Sequence, residues 1–116
     1  MQPKQLTNDL SISAQITVTD IAAIKSAGFK SIICNRPDGE AFFGQSAFKD
    51  IEAAAKAAGL AVSYQPIVPG RMTESDAVAF AGSLRTLPKP ILAYCRTGTR
   101  SATLWSQVQA KGLVTG

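Results

Sequence analysis

The chemistry open to this sequence centres on Cys95. In Ile91-Leu92-Ala93-Tyr94-Cys95-Arg96-Thr97-Gly98-Thr99-Arg100-Ser101, an apolar strand runs into a cysteine, a glycine-bearing loop, an arginine and the start of a helix. Successive backbone N–H groups from Arg96, Thr97, Gly98, Thr99, Arg100 and Ser101 can curl into a nest around the sulfur, with the positive end of the following helix aimed at the same point. Both effects stabilise a thiolate. A free thiol has a pKa of about 8.5, and lowering it makes cysteine a competent nucleophile at neutral pH. Gly98 permits a tight turn without a Cβ in the ligand's space. Arg100 can hold two oxygens of an oxyanion at once. Cys95 and Arg100 are therefore the candidate catalytic pair, and Arg96, Thr97, Gly98, Thr99 and Ser101 the candidate substrate-binding residues. For Arg96 the side chain or only the backbone N–H serves the loop. A cysteine followed five positions later by arginine is common by chance, and its bland reading is a buried strand cysteine beside a solvated arginine. The strand before it, the glycine within and the helix after it make the functional reading the stronger one.

Five further residues fall at the same edge. Arg36 follows the second predicted strand and Arg71 lies in the loop after the third, so four arginines gather where the strands end and would focus positive potential on an anion. Loop arginines are also often just solvated. Cys34 ends the second strand as Cys95 ends the fourth. It reads first as a small buried hydrophobe, and otherwise as a resolving thiol for a persulfide or disulfide at Cys95. Asp38 and Glu40 lie in a Pro-Asp-Gly turn nearby and are candidates to orient an arginine, although such segments are commonly plain turns.

The elements that must position these residues are legible as alternating short apolar strands and longer stretches of helical period, the pattern of an α/β fold with a mainly parallel sheet of four or slightly more strands flanked by helices. Strands are expected at Leu10 to Ser13, Ser31 to Cys34, Ala61 to Tyr64 with a possible extension to Ile67, and Ile91 to Tyr94. Helices are expected at Asp20 to Ala27 after a Thr19 cap, Ala47 to Ala58 after Ser46, Glu74 to Leu87 after Thr73, and Ser101 to Lys111. Gly28, Gly59 and Gly112 each follow a helix end and precede an apolar residue, the mark of a left-handed C-terminal cap. The first two lead into strands. The third suggests that this is a domain of a longer protein, continuing past Gly116.

The 116 residues, 46% of them apolar, suffice for one domain spanning the whole chain, residues 1–116. The polar start, Met1 to Asn8, lacks the apolar core of a signal peptide, and no apolar run is long enough to span a membrane. A cytoplasmic protein with no membrane partner is the expectation. Two cysteines are too few for a disulfide framework. With no histidine, imidazole catalysis and most zinc sites are excluded within this chain, and neither metal nor cofactor is expected. The net charge of +4 comes without basic runs or interleaved aromatics, which argues against nucleic acid and for small anions.

Taken together, Leu10-Ser11-Ile12-Ser13-Ala14-Gln15, Ile33-Cys34-Asn35-Arg36-Pro37-Asp38-Gly39-Glu40 and Cys95-Arg96-Thr97-Gly98-Thr99-Arg100-Ser101 resemble the beta-lactamase-hydrolase-like family. The resemblance covers almost the whole chain. It implies a dual-specificity-phosphatase-like fold carrying a rhodanese-like loop, with Cys95 as sulfur carrier and Arg100 facing the substrate. It also implies a fused or separate metallo-beta-lactamase-type persulfide dioxygenase as partner, in sulfide and persulfide detoxification.

Cysteine phosphatases place the arginine six positions after the cysteine, whereas here the interval is five, as in rhodaneses. They also usually carry histidine before the cysteine, where this chain has Tyr94, and an aspartate acid on a neighbouring loop. The loop Gln65 to Thr73 contains no acid. The sequence expectation is thus a sulfurtransferase. Cys95 takes sulfane sulfur from a small sulfur oxyanion such as thiosulfate, or from a persulfide, and passes it to a thiol acceptor such as glutathione. The alternatives are a cysteine-dependent phosphatase for phosphotyrosine or small phosphate esters, marked by a carboxylate reaching the loop, and a noncatalytic anion-binding or partner-docking module.

Overall fold

A computed structural model describes residues 2–113. Five strands form one sheet in the order β1-β2-β5-β3-β4, with β1 at Lys4–Gln5, β2 at Leu10–Ser13, β3 at Ser31–Cys34, β4 at Ala61–Tyr64 and β5 at Ile91–Tyr94. All neighbours are parallel except β1, which runs antiparallel to β2. The four strands expected from the sequence have the expected bounds, and β4 stops at Tyr64 without reaching Ile67. β1 adds a fifth, two-residue strand too short for any alternation to signal it.

Strand β5 enters last and lies between β2 and β3, with Leu92 opposite both Ser11 and Ile32. Parallel strands need crossovers, and helices supply them. Side chains alternate along β3 and β5, so the sheet buries two different cores. Ile33, Ile91 and Ala93 pack against Phe80, Ala81 and Leu84 of α3 (Glu74–Thr86) and Leu104 and Val108 of α4 (Thr99–Ala110). Ile32, Cys34, Leu92 and Tyr94 pack with Ile21 and Ile24 of α1 (Ile21–Ser26) and Ile51 and Ala55 of α2 (Phe48–Ala57). The sheet is covered on both faces, as its continuous apolar runs require.

Helix starts differ from expectation in three places. Before α1 comes a 3-10 turn at Val18–Asp20 capped by Thr17 rather than Thr19, because Asp20 reaches back to the Thr17 N–H at 2.8 Å. Ser46 caps nothing. Asp38 instead accepts from the Phe48 N–H at 2.9 Å and so caps α2 from ten residues upstream, which removes it as a candidate arginine partner. Helix α4 begins at Thr99, two residues before the expected Ser101, so the anion loop is shorter and the helix N-terminus closer to Cys95. Thr73 caps α3 through a reciprocal pair with Asp76, as expected. Gly28, Gly59 and Gly112 all take positive φ. Residues 114–116, on which the expected continuation bears, lie outside those described.

Candidate active site

Because β5 is central, its carboxyl end delivers Cys95 to the middle of the sheet edge where parallel α/β folds bind ligands. The Cys95 N–H donates to the Ser13 carbonyl at 3.3 Å, which ties the start of the loop to β2. Gly98 is the N-cap of α4 at φ +94° and so offers no side-chain acceptor to the helix. Ordinarily a serine, threonine or aspartate at that position would satisfy the free N–H groups of the first turn. Here the sulfur takes that part. The Gly98 N–H donates to Cys95 Sγ at 3.0 Å. Burial pushes the Cys95 pKa up, but the backbone N–H groups of Ser101, Thr97, Arg100 and Gly98 outweigh it and hold the thiol below its ordinary value. A side chain at Gly98 would be strained by the positive φ, with its Cβ 3.5 Å from the Ser13 carbonyl group.

The two loop threonines bond to each other through their hydroxyls at 3.0 Å. Ser101 is fully buried, and its hydroxyl donates to Asn35 Oδ1 at 2.8 Å; of its polar groups it is the backbone N–H that serves the sulfur. Asn35, also fully buried, donates through Nδ2 to the Gln65 carbonyl at 3.0 Å. One amide thereby joins the ends of β3, β4 and α4. Its signal in the sequence is a polar residue directly after the apolar run of β3, between Cys34 and Arg36.

The arginines separate into distinct groups. Arg36 is 5% exposed, donating from Nε to Glu40 Oε1 at 2.9 Å and from Nη1 to Gln15 Oε1 at 3.1 Å. Arg100 donates from Nη1 to Glu40 Oε2 at 2.7 Å and to the Ile67 carbonyl at 2.9 Å, and from Nη2 to Glu40 Oε1 at 2.9 Å. That uses the end of the guanidinium and leaves the edge carrying Nε–H and the second Nη2–H without an oxygen partner among the described residues. Arg36, Arg96 and Arg100 line a cleft of about 550 Å³, with Glu40 between them. Arg71 is exposed, bonds the Val68 carbonyl through its backbone, and is not among the residues lining this cleft. Cys95 itself is 1% exposed.

Glu40 is one of the two carboxylates that the sequence offered to orient an arginine, and it holds both Arg36 and Arg100. Hydrogen bonds from Arg100 first, then Arg36, hold its carboxyl below the usual range despite burial, so it is ionised at neutral pH. In return, its hydrogen bonds raise the Arg100 pKa, with a smaller contribution from Cys95. Cys34 lies in the core between α1, α2 and the sheet, its thiol donating to the Arg36 carbonyl at 3.3 Å. Burial pushes its pKa up. Both cysteines are free thiols. Among the described residues no group of three or more His, Cys, Asp or Glu could hold a metal, and no helix is long and apolar enough to cross a membrane.

Comparison with known proteins agrees with this geometry. Two curated proteins named beta-lactamase hydrolase-like protein are each 35% identical. The one from Agrobacterium fabrum aligns over 90% of this chain and 24% of its own length, and the one from Xylella fastidiosa over 84% and 22%. The chain thus spans about a quarter of these relatives. A crystal structure of a candidate phosphatase from Neisseria meningitidis superposes with a TM-score of 0.87 at 36% identity, over 96% of this chain and 78% of that one. Pseudomonas aeruginosa TpbA in complex with phosphotyrosine shares the fold alone, with a TM-score of 0.71 at 16% identity over 95% of this chain and 64% of that one. The model of the phosphatase-like domain of beta-lactamase hydrolase-like protein matches residues 3–112. With its cysteine-phosphatase-like fold and its thiolate loop at the sheet edge, the chain belongs to that family of phosphatase-like domains.

Proposed function

We propose that the domain is a cysteine-dependent phosphatase for phosphate monoesters, with Cys95 as nucleophile and Arg100 as the group that holds the phosphoryl oxygens. The observation that carries this reading is a buried sulfur facing four loop N–H groups, with one edge of Arg100 turned to that sulfur and carrying no oxygen partner among the described residues. The thiolate attacks phosphorus, an S–P bond forms, and the ester P–O bond breaks with its electron pair leaving on the alkoxide or phenoxide. Water then attacks phosphorus, releasing phosphate and restoring the thiolate. Loop N–H groups and Arg100 stabilise the charge on the equatorial oxygens in both steps. The likeness to a candidate phosphatase at 36% identity supports phosphoryl over sulfur transfer.

Glu40 limits the substrates. An ionised carboxylate held by two arginines does not protonate a leaving group, and general acid catalysis is worth roughly 10²–10⁴-fold. Esters whose leaving group departs unprotonated, such as aryl phosphates, are then turned over ahead of alkyl phosphates.

A second reading is favoured by the same feature. Sulfur transfer from thiosulfate releases sulfite and needs no proton donor, and the interval of five from Cys95 to Arg100 suits the smaller loop. Cys95 would carry a persulfide to a thiol such as glutathione, with a persulfide dioxygenase as partner. One experiment separates the two: intact mass after thiosulfate or glutathione persulfide, alongside phosphate release from para-nitrophenyl phosphate, in wild type and Cys95→Ser. Cys95-dependent phosphate release without added sulfur supports the phosphatase. A gain of one sulfur atom, lost in Cys95→Ser, with negligible phosphate release, overturns it in favour of sulfur transfer.

A further inference from the structure

The cleft has an apolar rim that the chemistry at Cys95 leaves unexplained. Phe42 and Phe43 are 98% and 87% exposed, in the loop between β3 and α2, with ring centroids 5.7 Å apart. Phe43 lines the same cleft as Arg36, Arg96 and Arg100, and Pro69 lies there too. Burying a phenylalanine side chain is favourable, and this one leaves that gain unmade. The cleft, at about 550 Å³, is also the size of a site for an organic molecule, since such pockets run from roughly 300 to 1,000 Å³. A bare tetrahedral anion fills a small part of it. A charged side made of arginines facing an apolar aromatic side matches a ligand with an anionic head and a flat apolar body.

We infer that Phe43 is a specificity-determining residue that selects oxyanion substrates bearing an aryl group over inorganic or small alkyl oxyanions. This rests on the proposed function only in taking the substrate's charged head to be an oxyanion seated at the Cys95 loop. The aryl group lies against the Phe43 ring in the offset or edge-on arrangement that aromatic pairs prefer. The surrounding loop admits the ring from solvent, because nothing in the fold covers Phe43 among the described residues.

Calorimetric titration of the wild-type protein with phenylphosphonate and methylphosphonate, at a pH where both are dianions, tests this directly. Neither probe is hydrolysed. Phenylphosphonate is expected to bind about five-fold tighter, the gain an aromatic pair supplies. That preference is lost in Phe43→Ala and returns in Phe43→Tyr. Equal affinity for the two probes, no binding of either, or a preference untouched by Phe43→Ala overturns the inference. Since the probes bind without turnover, a wild-type protein that prefers phenylphosphonate yet releases no phosphate from esters would overturn the phosphatase reading alone.

Discussion

Cys34 and Cys95 each stand at or just past the carboxyl end of adjacent parallel strands, and the fold makes opposite groups of them. After Cys34 the chain turns through Asn35-Arg36-Pro37-Asp38 and does not become helical until Phe48. The thiol therefore meets apolar neighbours, the Tyr94 hydroxyl and one carbonyl acceptor, and burial outweighs the polar contacts to keep it protonated at neutral pH. After Cys95 a helix begins within four residues, and its first N–H groups, uncapped by Gly98, converge on the sulfur. The lesson is that a reactive cysteine is made by what its neighbouring backbone donates, not by exposure, since both are buried.

The sharpest way to break this contrast is to exchange each sulfur for oxygen. Cys95→Ser is expected to lower turnover of para-nitrophenyl phosphate by roughly 10³-fold or more, because a serine in the loop is far weaker as a nucleophile without a base. Cys34→Ser should change kcat by less than about three-fold, within the ordinary scatter of a non-catalytic position. Comparable losses in both variants would return Cys34 to the site as a resolving or catalytic thiol.

Next is Asn35, which joins the two regions. Asn35→Ala removes one buried and one part-buried hydrogen bond and strands the Ser101 hydroxyl and Gln65 carbonyl, so unfolding free energy should fall by about 2–3 kcal/mol in denaturant titrations. An unchanged midpoint would mean that the two strand ends are held by other contacts.

Glu40 ties the turn after Cys34 to the loop after Cys95. Glu40→Gln weakens the hold on Arg100 without emptying the space, and kcat/KM is expected to drop about ten-fold through misplacement of the guanidinium. Because Glu40 is already ionised at neutral pH, the wild-type profile should show no acidic limb near pH 7 from this residue. A limb there that vanishes in Glu40→Gln would identify it as a proton donor after all.

The smallest effect is thermodynamic. A thiol whose folded pKa is depressed contributes stability that is fully present above its unfolded pKa and is lost as pH falls through the folded value. The opposite holds for Cys34, whose raised pKa disfavours the folded state as pH rises past the unfolded value. The Tm of wild type relative to Cys95→Ser should therefore increase from neutral pH toward pH 9, and relative to Cys34→Ser should decrease over the same range and beyond. Thiolate ultraviolet absorbance, read in each single-cysteine variant, gives the two midpoints and should place that of Cys95 lower.

How much of this was legible in the sequence follows from the range of each interaction. Strands β2 to β5 announce themselves because apolar β-branched runs bounded by glycine, proline and polar residues are local signals. Cys95, Gly98 and Arg100 were legible together because a nest of N–H groups is built by consecutive residues. The cap of α2 was misplaced because Asp38, ten residues away, competes with the nearer Ser46 and only the folded loop brings it within reach. Arg36 was correctly placed at the edge, yet its role was open, since its partners Gln15 and Glu40 come from two different loops.

By itself, the sequence determined the alternation of elements, the thiolate loop and the absence of imidazole, all properties of residue type and short spacing. Tertiary structure decided the rest. It set β5 between β2 and β3, turned Asn35 into a joint, left Phe43 bare beside three arginines and put the Glu40 carboxylate against Arg100. Pairings such as Glu40 with Arg100 and Asn35 with Ser101 join residues sixty or more positions apart, and they exist only once burial of the two cores has closed the chain around them.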